Sequence, residues 1–175
     1  KFILGTSLEN LDADIDLYLR QMNDLKKVQP AKLTSNLRQL VLNLMRRDNV
    51  DDPTRFYGKG LTEEQYEVAR SKPCWNAGLC RFQGVLMAFF GHHVGRADFL
   101  LEHGVDYLAK VQVGTPCLMQ DTYLNGVSCF IAARETGKSH YAKLGQICRS
   151  KVKKWIRKGN PNVNHFDAHL DAEAM

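Results

Sequence analysis

The sequence predicts an all-α fold, built of antiparallel helical hairpins that stack as a solenoid. Apolar residues recur at three- and four-residue steps along nearly the whole chain, and no stretch alternates at period two for long enough to make a strand. The later helices fall into pairs of about forty residues, and fixed-period helix pairs are typical of solenoids. The 175-residue chain is 44% hydrophobic, which argues against disorder.

Residues 1–48 are predicted to form an N-terminal hairpin. The first helix opens with Thr6-Ser7-Leu8-Glu9, which has the pattern of a capping box. Pro30 separates it from the second helix, and two helices joined by a short turn usually pack antiparallel. The expected apolar faces are Leu8, Leu11, Ile15, Leu19, Met22 and Leu25 on the first helix and Leu33, Leu37, Leu40, Val41, Leu44 and Met45 on the second.

Residues 49–72 are predicted to be a loop followed by a short helix. The segment from Asn49 to Leu61 contains a proline and two glycines between charged turn formers. Thr62-Glu63-Glu64-Gln65 has the pattern of a second capping box, so we expect a helix from there to about Arg70.

Residues 73–114 are predicted to form the next hairpin. Its first helix runs from about Cys74 to Phe90, with Gly91 at the C-terminal cap, and its partner runs from about Arg96 to Val113. The expected core residues are Trp75, Leu79, Phe82, Leu86 and Phe89 or Phe90 on the first helix and Ala97, Leu100, Leu101, Leu108 and Val111 on the second.

Residues 115–159 are predicted to form a further hairpin, and residues 160–175 the start of a truncated repeat. Thr115-Pro116 supplies an N-cap followed by a first-turn proline, and glycines end the two helices at Gly137 and Gly159. The expected core residues are Met119, Tyr123, Val127, Phe130 and Ile131, then Tyr141, Leu144, Cys148, Val152 and Trp155, and in the last segment Val163, Phe166 and Leu170.

Small residues on the 73–114 hairpin follow the small, large, small pattern of tetratricopeptide repeats. They are Gly84 on the first helix and Ala97-x3-Leu101-x2-Gly104 on the second. In the next hairpin Tyr141, Gly145 and Cys148 occupy the corresponding places, so the layout is kept while the pattern is lost. We therefore expect a tetratricopeptide-like solenoid; a single irregular helical bundle is the alternative.

The order of segments also carries a resemblance. The chain contains SLENLDADIDLYLRQMNDL, then NLRQLVLNLM, FYGKGL, YLNGVSCFIAARETGK and VKKWIRKGNPNVNHFDAHLDAE. This order is similar to the helical region that follows the nucleotide-binding module in large signalling ATPases that carry kinase, histidine-kinase or cyclase domains. The resemblance implies a sensor or scaffold of divergent helical repeats without catalytic residues of its own.

The five cysteines, at irregular spacings within helical patterns, lack the arrangement of a disulfide framework or a zinc site. We expect free, buried thiols in a reducing, cytoplasmic compartment. The chain shows no signal-peptide pattern or bilayer-length apolar run, and its ends predict a segment of a larger protein.

Three motifs suggest chemistry, and each has a simpler interpretation. Gly137-Lys138-Ser139 resembles the end of a phosphate-binding loop, but Ala132 stands where the second glycine belongs, so helix termination by Gly137 and capping by Ser139 are favoured. His165, His169 and Glu173 share one helical face, which a solvated polar surface also explains. The Cys148 spacing marks the core face of its helix, which disfavours a nucleophile.

The strongest charge feature is a run of six bases without an acid in ten residues. The helix that carries it also has Val152 and Trp155 on its buried face, so it is basic and amphipathic. Binding to a calmodulin-like protein, an acidic membrane surface or nucleic acid is one interpretation, and a solvated outer face near the helix C-terminus is the other. The candidate contact residues are Arg149, Lys151, Lys153, Lys154, Arg157 and Lys158.

Together these patterns predict a non-catalytic scaffold or sensor segment that contacts a protein partner or neighbouring domains of its own chain. No nucleophile, base and orienting group come together from neighbouring motifs, so an enzyme is disfavoured, and no cofactor or metal is expected. The alternative is a module centred on the basic helix that binds an acidic partner; nucleic acid is the less favoured ligand.

Overall fold

The computed structural model describes residues 5–71, 73–107 and 117–175, with the side chains of residues 73–75 and 77 excepted. It confirms the all-α prediction: the described residues form helices joined by turns, and no strand occurs among them. The helices are α1 (Leu8–Asp24), α2 (Val28–Leu44), α3 (Glu63–Arg70), α4 (Pro73–Phe89), α5 (His93–His103), α6 (Cys117–Thr136), α7 (Ser139–Arg157), a 3-10 turn (Pro161–Val163) and α8 (Asn164–Glu173).

The chain divides into two compact units, residues 1–86 and residues 87–175, here called unit 1 and unit 2. The division lies within α4, and therefore within the range predicted as the 73–114 hairpin.

The core of unit 1 lies between α1 and α2. Leu11, Ile15 and Val41 are buried there, as the helical spacing predicts. Leu25 and Leu33 were expected on the same apolar faces, but 68% and 52% of their surfaces are exposed. The prediction was wrong for these two: Leu25 lies just beyond the last residue of α1, and Leu33 lines an open cleft beside α3.

Two details of the predicted helix starts differ in unit 1. The N-cap of α1 is Ser7, whose side chain accepts from the Asn10 N–H at 3.3 Å, so the predicted capping box of Thr6 and Glu9 is wrong. Pro30 lies inside the first turn of α2, where its missing N–H has no helical partner to lose. The second predicted capping box is confirmed, since Thr62 and Gln65 hydrogen bond reciprocally at the start of α3.

In unit 2, α6 is the central helix and packs against α5, α7 and α8. One core cluster joins α5, α6 and α7 through Ala97, Cys129 and Tyr141. A second joins α6 and α7 to the last helix through Phe130, Val152 and Leu170. These clusters, with the fully buried Cys148, confirm the core positions predicted for residues 115–175 except Ile131, which belongs to neither cluster.

The helix ends of unit 2 follow their glycines. Gly91 and Gly137 have φ values of +79° and +70°, as their predicted cap positions require. The predicted bounds of the helix from about Arg96 to Val113 are wrong. Helix α5 begins at His93 and ends at His103, and the next residue, Gly104, has a φ of +81°.

Other expectations for unit 2 are corrected or lie outside the described residues. Lys138, not Ser139, is the N-cap of α7, and it makes no side-chain capping bond. Leu101 is 45% exposed and not part of the core, although the preceding Leu100 is buried. The predictions for Trp75, Leu108, Val111 and the Thr115-Pro116 cap fall outside the described residues.

Candidate basic interaction site

Helix α7 has one buried face and one solvated face. Tyr141, Cys148 and Val152 are buried against unit 2, while Trp155 is half-buried beside the second core cluster. Residues at three- and four-residue steps share a side of a helix, so these four fix the orientation of α7. The predicted bases are thereby distributed around the remaining circumference.

Two of the six predicted bases are committed to ion pairs within unit 2. The Arg149 Nε lies 3.3 Å from the Asp167 carboxylate, and its guanidinium also pairs with Asp171. The Lys151 ammonium pairs with Asp106. Arg149 therefore holds α8 to α7, which is a structural task.

The other four bases form what we call the cationic face: Lys153, Lys154, Arg157 and Lys158. All four side chains are exposed, and among the described residues none of them pairs with a carboxylate. They lie in the last turns of α7 and beyond its end, where the helix dipole favours positive charge. Local electrostatics thus tolerates the cluster, and its charge stays available to a ligand.

Two shallow grooves run along the exposed side of α7. The first encloses about 450 Å³ and lies beside Ile147, Lys154 and Arg157. The second encloses about 320 Å³ and lies beside Lys153, Ile156 and Arg157, with Asp167 at its edge. Ser150 lines both, so its small side chain lies between the two depressions.

Sequence reasoning missed the contribution of Ile147 to this surface. The side chain is 44% exposed although it directly precedes the fully buried Cys148. The signal was present in the sequence, because one residue turns a helix by about 100° and Ile147 therefore faces away from the side that Cys148 and Val152 define.

The two innermost thiols are unsuited to nucleophilic chemistry. Cys129 and Cys148 are free and buried, and burial raises the pKa of each thiol to about 12. The reactive thiolate is then scarce at neutral pH. The prediction of buried free thiols is confirmed for these two, whereas Cys80 and Cys117 are free but only half-buried.

The predicted polar face of α8 is tied to α6. The Tyr123 hydroxyl lies 2.5 Å from His169 Nδ1, and His169 Nε2 lies 3.4 Å from Glu173. Arg134 donates to the Glu173 side chain at 2.6 Å and to its carbonyl at 2.8 Å. Burial, followed by the Glu173 charge, raises the pKa of Tyr123. His169 and Glu173 therefore fasten α8 to α6, while His165 is exposed and its ring packs on Phe166.

The described residues contain neither a metal-binding cluster nor a membrane-spanning helix. Among the described residues, no three His, Cys, Asp or Glu side chains come close enough together to hold a metal ion. Within the same residues, each helix is too short or too polar to cross a membrane.

Unit 1 contains a cleft of about 470 Å³ between α2 and α3. Its walls include the exposed apolar residues Leu33 and Val68 and the buried Asn36. The sequence predicted Leu33 in the core, so this depression was not anticipated.

Comparison of the chain with protein-family models, with curated proteins and with solved structures finds no match.

Proposed function

We propose that the chain is a non-catalytic helical scaffold segment that mediates protein–protein or interdomain contacts, with the cationic face of α7 as its contact surface. The observation that carries the proposal is the cationic face itself: four neighbouring bases are exposed and unpaired within the described residues. Like charges at close spacing repel one another, and an acidic ligand would relieve that repulsion.

The arrangement of unit 2 supports a tetratricopeptide-like stack within this scaffold. In a stack of helical hairpins, the first helix of a hairpin contacts its own partner helix, the last helix of the preceding hairpin and the first helix of the following hairpin. Helix α6 has this set of neighbours, namely α7, α5 and α8. Close helix approach at small residues, as at Gly145 against the Phe130 ring, fits the same scheme.

The order of sequence segments, which is similar to that of large signalling ATPases, supports a parent protein of that type. In such a parent this chain is the helical sensor or scaffold, and other domains carry out the chemistry. A full-length sequence with a phosphate-binding-loop module before Lys1 is the expected result, and a different upstream domain contradicts it.

Binding of poly-L-glutamate by the whole chain tests the contact surface. We expect binding that weakens steeply between about 0.05 and 0.5 M salt, because exposed charges are screened over a few ångströms at the higher concentration. The double variant Lys154→Glu, Arg157→Glu should lose at least about tenfold in affinity. Fluorescence anisotropy of labelled polymer measures both effects.

The matched control is Lys26→Glu, Lys27→Glu, which changes the net charge by the same amount at two exposed residues of unit 1. It should retain the affinity within about twofold, as expected when the local field and not the net charge is decisive. Equal losses in the two variants, or no binding by the unaltered chain, overturn the proposal. So does a turnover activity of the chain that one polar substitution such as His169→Ala abolishes.

A further inference from the structure

From the exposed side of α7 we infer that the scaffold's partner there is an acidic amphipathic α-helix of another protein, which lies along α7 and places one apolar residue on Ile147. This inference rests on the proposed function and specifies the partner of the same surface.

Exposed residues of α7 follow one another at helical spacing. Starting at Lys143, the residues at steps of four, three, four and three along α7 are all exposed. We call this row the seam. Such steps follow one side of a helix and are those by which two helices pack lengthwise. The row covers about 21 Å at a rise of 1.5 Å per residue, or about four turns. The seam consists of Lys143, Ile147, Ser150, Lys154 and Arg157.

The seam combines positive charge with one exposed apolar side chain. Its two ends are cationic, whereas its middle offers the exposed Ile147 and the small Ser150, with a groove on either side of the serine. A small residue between two grooves allows close approach of a second backbone, and an apolar residue on the centre line requires an apolar partner. An amphipathic helix with acids at its ends and a leucine or similar residue near its middle supplies both.

The exposed side of α7 suits an acidic helix better than nucleic acid or a membrane surface. A phosphodiester backbone offers only acceptor oxygens along its length and no apolar group for Ile147, and protein contacts to it come from cationic side chains and hydrogen-bond donors. A membrane-surface helix has its large apolar side chains on the face that contacts the lipid. In α7 the largest apolar side chain, Trp155, instead packs against the core of unit 2, and the exposed side offers Ile147 among bases and polar residues.

The experiment measures binding of the whole chain to a synthetic peptide of about 18 residues, long enough to cover the seam as a helix. The peptide carries glutamates toward its ends and a leucine at its centre on one face. A scrambled peptide of equal composition, a short duplex DNA and phosphatidylserine vesicles are the comparison probes. We expect the amphipathic peptide to bind about tenfold more tightly than the scrambled one, a difference of about 1.4 kcal/mol.

Variants of the chain locate the contact. Ile147→Ser should weaken the amphipathic peptide about fivefold and leave poly-L-glutamate binding unchanged, because only the peptide presents an apolar residue there. Lys154→Gln, Arg157→Gln removes both charges without reversing them and should weaken both ligands. Ile147 is exposed and belongs to neither core cluster, so Ile147→Ser leaves the core intact, and circular dichroism melting verifies that each variant is folded.

Equal affinity for the ordered and scrambled peptides, or no effect of Ile147→Ser on the amphipathic peptide, overturns the helical partner. If poly-L-glutamate still binds through Lys154 and Arg157 in that case, the proposed function survives while this inference fails. Tighter binding of DNA or of the vesicles than of the amphipathic peptide also overturns it, and indicates a nucleic acid or a membrane surface as the ligand.

Discussion

At the residue scale, buried amides hold the long loop of unit 1 in place. Asn43 is fully buried and donates to the carbonyls of Pro53 and Arg55 at 3.0 and 2.7 Å. Its own oxygen accepts from Gln39 at 2.7 Å and from Asn49 at 3.2 Å. The loop contains no helix or strand from residue 48 to 61, so side-chain amides take the place of a backbone ladder in satisfying its carbonyls.

The neighbouring Asp48 carboxylate also accepts hydrogen bonds from several N–H groups. Burial tends to raise the pKa of Asp48, but hydrogen bonds from the Lys59 N–H, the Gln39 amide and the Asn49 N–H favour the charged form. The pKa of Asp48 is therefore held below its usual value. Gly58 and Gly60 approach Asp48 and the Gln39 backbone too closely for a Cβ atom, which explains the two glycines in this stretch.

Replacing Asn43 tests this network. Asn43→Ala removes four hydrogen bonds from this network and leaves the Pro53 carbonyl without its side-chain donor, and we expect the free energy of unfolding to fall by about 2–4 kcal/mol. Urea unfolding followed by circular dichroism measures the change. Asn23→Ala, at an exposed position on α1, should change the stability by less than about 0.5 kcal/mol. Similar small effects in both variants would show that the loop does not depend on Asn43.

At the element scale, the contact between α6 and α7 depends on a missing side chain. A Cβ atom at Gly145 would lie 2.8 to 2.9 Å from three atoms of the Phe130 ring. Phe130 is itself buried, in the cluster with Val152 and Leu170, so the ring has little room to move. A glycine in the middle of a helix costs conformational entropy, and the close packing of these two helices is the physical reason for it here.

The variant Gly145→Ala should therefore destabilise the protein by about 1–3 kcal/mol through overpacking, despite the better helix propensity of alanine. Gly95→Ala is the matched control within α5, because the added Cβ would meet only Met87 Cε at 3.9 Å. There the propensity gain should prevail and raise the stability by about 0.5–1 kcal/mol. Thermal melting of the two variants decides the matter, and a stabilised Gly145→Ala would show that Phe130 moves aside freely.

At the scale of the whole molecule, the buried thiols link stability to alkaline pH. Burial raises the pKa of Cys129 and Cys148 from 9.0 to about 12. Both thiols keep their protons in the folded state at pH values where the unfolded chain loses them. Their contribution to stability is complete below pH 9 and decreases as the pH rises from about 9 toward 12.

Cys148→Ala tests this linkage. At pH 10, one unit above the ordinary value of 9.0, each such thiol should lower the free energy of unfolding by about 1.4 kcal/mol. The loss of stability between pH 8 and pH 10 should therefore be smaller by that amount in Cys148→Ala. Denaturant titrations at the two pH values give the comparison, with Cys117→Ala as the control that keeps both buried thiols. An equal loss in Cys148→Ala and the unaltered protein would refute the assignment.

Local sequence patterns account for the fold class and for several helix ends of this protein. Apolar residues at helical spacing located Leu11, Ile15, Cys148 and Val152 in the core, and the glycines ended their helices at Gly91 and Gly137. These features are local, because helix formation and capping depend on residues within one or two turns. The run of bases on α7 was visible for the same reason.

Which polar residues have partners depends on how distant parts of the chain pack together. The sequence could not tell that Arg149 and Lys151 pair with acids 18 and 45 positions away, while Lys154 and Arg157 pair with no carboxylate in the described part of the chain. Nor could it show that α6 is the central helix of unit 2, that Leu33 lines a cleft, or that His169 bonds to Tyr123. Pairing between distant segments depends on how whole helices pack, and periodicity determines a helix's buried side without determining the neighbour that covers it.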